Sequence, residues 1–278
     1  MSRKFEFERV GFIGTGNMGS ALCEAAVRSD FAPQVRFFLS NRTREKAENL
    51  SQRAKAMGGN AEVSTNAEIA RECDLIFLGV KPQMMGGLFA EIAPILQKRE
   101  KKSYTLVTMA AGITCARIRE MAKEDCAVIR IMPNTPAKIG AGTIQVCSLG
   151  ASEEVLTAFH ALMSPAGLLD DIPEHLIDAA SALSGCGPAF AYMFLEALAD
   201  GAVACGLPRD KAMLYAARTL SGAAEMVLEE GKHPGALKDA VCSPGGTTIQ
   251  GVRALEKGGL RSAAMEAVIA AFEKMKEL

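Results

Sequence analysis

Two short stretches carry residue types at spacings that could do chemistry. Near the C-terminal end, Cys242-Ser243-Pro244-Gly245-Gly246-Thr247-Thr248 opens a helical pattern from Ile249 to Glu256. The first four N–H groups of a helix lack internal partners, and the helix dipole leaves them partly positive. Hydroxyls added to such a turn let it receive a small carboxylate without a cationic side chain. The same residues would also serve as an ordinary loop and N-cap. At the other end, Gly14-x-Gly16-x-x-Gly19 follows the apolar run Arg9–Ile13 and opens a helical pattern from Met18. In that context Gly14 permits a tight turn, Gly16 admits a pyrophosphate close to the backbone, and Gly19 lets helix pack on strand. Thr15 lies inside the turn, and the amides near Asn17 and Met18 face the phosphates of a bound dinucleotide.

Cofactor choice is read at the end of the second strand, where NAD-preferring sites place Asp or Glu on the ribose 2′-hydroxyl. Here the residues are Ser40-Asn41-Arg42-Thr43, with no acid before Glu45. Arg42 can hold a 2′-phosphate through charge-assisted bonds, or it can be a solvated residue at the start of the next helix. The first reading predicts NADPH, with NADH bound more weakly. Other strand ends at the carboxyl edge of the sheet add candidates: Val80, Lys81 and Pro82 after one, and Ala110, Ala111 and Gly112 after another. Asn66 could reach the adenosine side. Met132-Pro133-Asn134-Thr135-Pro136 closes the sixth strand with a stiff loop that could face the nicotinamide, which makes Asn134 a cofactor-binding candidate. Each of these is equally readable as a turn.

The elements that must position these groups follow from hydrophobic periodicity. Apolar runs predict strands at Arg9–Ile13, Gln34–Leu39, Asp74–Leu78, Thr105–Met109, Ala127–Ile131 and Thr143–Cys147. Helices are predicted at Met18–Ser29, Arg44–Met57, Met84–Leu96 and Thr114–Met121. Such alternation implies a parallel sheet covered on both faces, a Rossmann-type doubly wound domain over residues 1–172. Strand signals stop after Pro173, and Ala-rich helical segments predict an all-helical domain over 173–278. Within it, Ala189–Cys205 carries only Glu196 and Asp200, in one polar stripe with Tyr192. Length would suit a membrane span, but two acids near its middle cost roughly 2.5–3.5 kcal/mol each. Burial against a second subunit is the better reading, which predicts an obligate homodimer with interlocked helices and leaves larger assemblies open.

Composition narrows the class. With 278 residues and a formal charge of −1, the chain has room for two domains and no broad attraction for nucleic acid or anionic lipid. Eight scattered cysteines form no C-x-x-C pair, and three histidines are far apart, so no metal site is predicted. Unpaired cysteines suit a reducing cytoplasm, and the polar stretch Met1–Arg9 lacks the apolar core of an export signal.

Taken in order, the motifs resemble those of the Δ1-pyrroline-5-carboxylate reductase family. The resemblance rests on Val10–Gly19, Val80-Lys-Pro-Gln83, Ala110-Ala-Gly112, Met132–Pro136, Ser184-Gly-Cys-Gly-Pro-Ala189, Gly206-Leu-Pro208, His233-Pro-Gly235 and Ser243–Thr248. It implies reduction of the cyclic imine pyrroline-5-carboxylate to L-proline by nicotinamide hydride, with the helical domain shared between two subunits. By similarity Ser243, Gly246, Thr247 and Thr248 hold the substrate carboxylate, and Thr248 bonds the ring nitrogen and is the candidate proton donor. Asn66, Val80, Lys81, Ala111 and Glu174 match cofactor or active-site contacts of the family. The chain departs from the family at Cys186, commonly Ser or another small residue, and at Ala240, where some members carry Asn. Two rival readings remain at this stage. A β-hydroxyacid-type dehydrogenase would need a catalytic Lys in the stretch Ser184–Leu195, which contains none. A non-catalytic NADPH-binding regulator would have no use for a carboxylate-receiving turn.

Overall fold

The computed structural model describes residues 6–100 and 103–277. Residues 1–5 of the stretch read as lacking an export signal lie outside the described residues. The first part of the chain alternates strand and helix: β1 (Arg9–Ile13), α1 (Asn17–Val27), β2 (Arg36–Ser40), α2 (Arg44–Ala56), β3 (Asn60–Val63), α3 (Asn66–Glu72), β4 (Leu75–Leu78) and α4 (Met85–Leu96). There follow β5 (Thr105–Thr108), α5 (Cys115–Ala122), β6 (Ala127–Met132), β7 (Gly142–Leu149), α6 (Glu153–Met163), β8 (Gly167–Asp171) and α7 (Ile177–Ser184). The strands form one sheet in the order β3-β2-β1-β4-β5-β6-β7-β8. Its first six members have the doubly wound order that reverses at β1 and β4, the place where such sheets receive ligands.

Both faces of the sheet are buried, which is why its strands read as continuous apolar runs. On one face Val10, Phe12, Phe37, Leu39, Phe77, Val107 and Ile129 pack with Leu22, Leu50, Phe159 and Leu162 of the covering helices. On the other, Ile13, Phe38, Ile76, Leu78, Leu106 and Val128 meet Ile69, Leu88, Ile92 and Ile118. Phe12 and Phe77 stack with ring centroids 4.4 Å apart. Each such ring contributes about 1.5–3 kcal/mol by leaving water.

Two sequence expectations change. The sheet is not wholly parallel, because β7 runs antiparallel to β6. The 3-10 turn Thr135–Ile139 and Gly140, at φ +78°, reverse the chain directly, so no crossover helix intervenes. Strands β3 and β8 and helices α3 and α6 were missed. β3 (Asn-Ala-Glu-Val) and β8 (Gly-Leu-Leu-Asp-Asp) are edge strands with one solvated face, so neither shows an apolar run. For α3 the signal was present as a capping box: Thr65 accepts from the Glu68 amide while Glu68 bonds back to the Thr65 amide. Beyond the 172/173 boundary expected from the sequence, the compact unit holding the sheet also takes in the chain through Gly185 and the residues from Phe272. The reason is α7, which is tied to the sheet through Arg130–Asp178 and through Asn134 Nδ2 donating to the Ser184 carbonyl.

The second unit, Cys186 to Ala271, is helical: α8 (Gly187–Ala204), α9 (Arg209–Glu230), α10 (Pro234–Ala240), α11 (Thr247–Lys257) and most of α12 (Leu260–Met275). Helices α8 and α9 form a hairpin through the left-handed Gly206, with Ala199, Ala212 and Ala216 at their contact. Ala199 is the one residue of α8 that is buried within the chain. Tyr192, Met193, Leu214, Tyr215 and Leu228 are exposed. The helical span Glu174–Ala204 is long and apolar enough to cross a membrane, although only 11% of its apolar window is buried within the chain.

Candidate active site

The carboxyl ends of β1, β2 and β4 meet at the first glycine turn. Gly14 has φ +96°, and its amide donates to the Ser40 carbonyl at 2.8 Å. A Cβ on Gly14 would lie 2.5 Å from the Gly79 carbonyl oxygen, and one on Gly19 would lie 2.2 Å from the Gly14 oxygen. The turn is thus wedged between α1 and the end of β4, and these two positions accept no side chain. Gly16 differs: nothing stands within 4 Å of a Cβ built there. Gly16 is the N-cap of α1 in extended conformation, and no side chain caps the helix. Its first amides, those of Asn17 and Met18, are left for a ligand.

Beside this turn lies a cavity of about 810 Å³ lined by Thr15, Gly16, Asn17, Met18, Lys46, Asn49, Arg53, Thr135 and Lys138, among others. Thr15 is 3% exposed, and its hydroxyl has no partner among the described residues. A buried hydroxyl left unpaired costs about 1–3 kcal/mol, which a phosphate oxygen would offset. These residues therefore fit the pyrophosphate of a dinucleotide. One donor is already spent, because the Thr15 amide gives its proton to Asn41 Oδ1 at 3.2 Å. Sequence reading missed Lys46 and Lys138, whereas Thr135 belongs to the loop already singled out after the sixth strand. The lysines are cations at the cavity wall, but only the packing of α2 and the 3-10 turn against α1 puts them there.

At the end of β2, Ser40 Oγ donates to Asn66 Oδ1 at 2.7 Å, while Asn66 Nδ2 donates to Glu91. Arg42 is exposed at the end of β2, with no hydrogen bond or ion pair among the described residues. Lys81 is likewise exposed after β4, next to the half-buried Val80 and Pro82. Strand register aligns Leu78 with Thr108, so Ala110, Ala111 and Gly112 follow at the same sheet edge, with Gly112 at φ +72°. Asn134 also has a structural use. It is 8% exposed, its Nδ2 donates to the Ser184 carbonyl, and its Oδ1 accepts from the Thr143 amide. Its side chain pins the β6–β7 turn to α7.

Glu174 sits at the N-terminus of α5, where its Oε1 accepts from the Cys115 amide at 2.7 Å and meets Arg130 Nη1 at 3.4 Å. Arg130, 2% exposed, also bonds Asp178 at 2.7 Å. This arginine is a further residue the sequence reading missed; it is the cation that holds two acids of the 174–178 segment against β6. Replacing Arg130 with Met should destabilise the protein by about 2 kcal/mol, the buried-pair cost discounted because both acids are partly exposed. Thermal denaturation should show Tm lower by about 6 °C. An unchanged Tm would mean the ion pairs do not secure the segment.

In the helical unit, the 243–248 turn has the predicted form. Gly245 is left-handed at φ +70°, the Gly246 amide bonds back to the Ser243 carbonyl at 3.1 Å, and α11 starts at Thr247. The N-cap Gly246 brings no side-chain acceptor, and Ser243, Thr247 and Thr248 are exposed. Free amides and hydroxyls thus face outward together, as a carboxylate-receiving turn requires.

Relatives extend this reading. Residues 174–278 match the family model for pyrroline-5-carboxylate reductase dimerisation, and residues 9–112 match that for NADP oxidoreductase, coenzyme F420-dependent. A pyrroline-5-carboxylate reductase of Glycine max is 43% identical over 97% of this chain and 95% of its own length. The chain belongs to the pyrroline-5-carboxylate reductase family. The Escherichia coli member is 39% identical over 98% of both chains. Among solved structures, that of Plasmodium falciparum pyrroline carboxylate reductase with NADP bound superposes with a TM-score of 0.82, at 31% identity, over 98% of both chains. The fold class, the enzyme class and the family expected from the motifs all hold for this pyrroline-5-carboxylate reductase family member.

Proposed function

We propose that this chain reduces Δ1-pyrroline-5-carboxylate to L-proline with NADPH as reductant. The observation that carries the reading is full-length similarity to reductases of that name together with an open, uncapped 243–248 turn. When bound, NADPH would supply a hydride for the imine carbon, and a proton on nitrogen would complete the secondary amine. Gly14, Gly16, Asn17 and Met18 bind the pyrophosphate through backbone, with the Thr15 hydroxyl as a further donor. Ser40, Asn41, Arg42 and Asn66 hold the adenosine ribose, and Val80, Lys81, Pro82, Ala110, Ala111, Gly112 and Asn134 line the cofactor's path at the sheet edge. Ser243, Gly246, Thr247 and Thr248 hold the substrate carboxylate, and Thr248 orients the ring nitrogen. Glu174 acts by fixing the start of α5. Little acid–base equipment is needed, because an imine that arrives protonated gives a stable amine on hydride addition, and orientation supplies most of the acceleration. The test is NADPH consumption with stoichiometric proline formation when pyrroline-5-carboxylate is added. Binding of NADPH without turnover of the imine would leave a regulator instead.

Arg42 decides the cofactor. It is solvent-exposed and unpaired among the described residues, so a 2′-phosphate would be its first anionic partner. Arg42→Ala should weaken NADPH on the order of tenfold while leaving NADH nearly unchanged. Titrations of both cofactors with the variant check this; an unaltered NADPH-to-NADH ratio would remove Arg42 from the site.

The working unit is a homodimer built on the helical unit, with larger assemblies open. Support comes from the family model for residues 174–278 and from the exposed Tyr192, Met193, Leu214 and Tyr215. A second copy covering α8 also accounts for its apolar surface without a membrane, given Glu196 and Asp200 on the same helix. The setting is the reducing cytoplasm, a reading supported by eight free cysteines.

A further inference from the structure

Cys115 and Cys147 are 32 residues apart in sequence, yet their Sγ atoms are 3.9 Å apart. Cys115 is the first residue of α5 and is buried; Cys147 lies on β7, directly across from Arg130 of β6, and is half-buried. The Glu174 carboxylate stands beside them, with one ligating atom from each of the three residues within 4.8 Å of the others. Such a trio could suggest a soft metal. The surroundings argue against it, because Glu174 Oε1 already accepts from the Cys115 amide and meets the Arg130 guanidinium, which would repel a dication.

We propose that Cys115 and Cys147 are a dithiol that a hydroperoxide converts to an intrachain disulfide. The sulfurs need to close by about 1.9 Å to reach a bond length near 2.05 Å. Cys147 is the attacking group. Its partial exposure gives the oxidant access, and the hydrogen bond from Cys115 holds its thiol below the usual cysteine range, outweighing burial and the Glu174 carboxylate, which oppose the thiolate, while Arg130 across the strand favours it. The Cys115 thiol is pushed up by that same bond, with burial adding to it, so Cys115 is the resolving group. The Cys147 thiolate attacks one peroxide oxygen, the O–O bond breaks, and the departing hydroxide takes a proton to become water, leaving a sulfenic acid. The Cys115 sulfur, giving up its proton, attacks the Cys147 sulfur; the S–S bond forms, the S–O bond breaks, and a second water leaves. Two thiols thus give two electrons and two protons to one hydrogen peroxide. The bond would tether the start of α5, three residues beyond Gly112, to β7.

The pair is distinct from the remaining thiols. Cys205 is exposed and Cys186 and Cys242 are half-buried, but no other cysteine has a second sulfur in hydrogen-bonding reach among the described residues. The experiment treats the intact protein with hydrogen peroxide, blocks free thiols, and maps peptides without reduction. The expected product is a Cys115–Cys147 linked peptide pair lighter by two hydrogen atoms and separated by dithiothreitol. In Cys115→Ser the oxidation should stop at a sulfenic acid on Cys147, trapped by dimedone; in Cys147→Ser neither the link nor the dimedone adduct should form. Oxidation of Cys205 or Cys242 while both members of the pair stay alkylatable would overturn the proposal. So would one equivalent of zinc in the purified protein whose removal is needed before either thiol reacts.

Discussion

Gly19→Ala is expected to cost the protein both its cofactor and part of its stability. The added methyl would lie 2.2 Å from the Gly14 carbonyl oxygen, a backbone atom that no rotamer change can move aside. Gly14 cannot yield in its turn, because it is left-handed and itself abuts the Gly79 carbonyl across the β1–β4 contact. The clash must therefore be relieved by shifting α1 away from the sheet, at about 2 kcal/mol, the usual cost of overpacking. The same shift carries the Asn17 and Met18 amides and the Thr15 hydroxyl out of register with the pyrophosphate, so the Kd for NADPH should rise about a hundredfold. Gly16→Ala separates the two effects. Nothing surrounds a Cβ there, and Gly16 has φ −71°, which alanine adopts freely. That variant should keep the parent Tm and lose NADPH affinity, since the methyl would occupy the space left for phosphate. Calorimetry and thermal denaturation on both variants check this; a Gly19→Ala protein with parental Tm would mean the turn is not wedged as described.

Thr248→Ala is expected to lower turnover about a hundredfold, the usual effect of losing one donor aimed at the reacting group, with NADPH affinity unchanged. Thr248 is an exposed residue in the first turn of α11, packed in neither hydrophobic cluster of the sheet. Alanine has the higher helix propensity, so the fold should not suffer. Loss of activity would then report the hydroxyl alone. Thr248→Ser, which keeps the hydroxyl and drops only the methyl, should recover most of the rate. Steady-state kinetics with the cyclic imine, alongside NADPH titration, decide the matter. A variant that reduces the imine at the normal rate would take Thr248 out of the mechanism and leave the carboxylate to Ser243, Thr247 and the helix amides.

Both candidate turns were legible in the chain because each is local. The glycine triplet, the strand that precedes it and the helix it opens lie within Arg9–Val27, and the 243–248 turn with its helix lies within one short stretch. The uses of Asn134 and Glu174 were not legible. The Asn134 side chain is engaged by Thr143 and by Ser184, and the Glu174 carboxylate by Cys115 and Arg130, partners up to 59 residues away. Such pairings depend on strand register and on which element follows the last crossover, neither of which hydrophobic periodicity records.

The amino-acid order by itself determined the alternation of strand and helix, the two-part division of the chain, the glycine turn after β1 and the 243–248 turn. All are set by residue types within a few positions of one another, through periodicity, glycine conformations and unpaired helix amides. Only the tertiary structure decided the reversal of β7, the passage of α7 to the sheet unit, the buried Arg130 with its two acids, the unpartnered Thr15 hydroxyl, and the meeting of Cys115 with Cys147. All but the Thr15 hydroxyl are long-range encounters involving the β6, β7 and α7 region, whose geometry is fixed by packing of the whole sheet rather than by any local stretch; the isolation of that hydroxyl likewise depends on what packs around it.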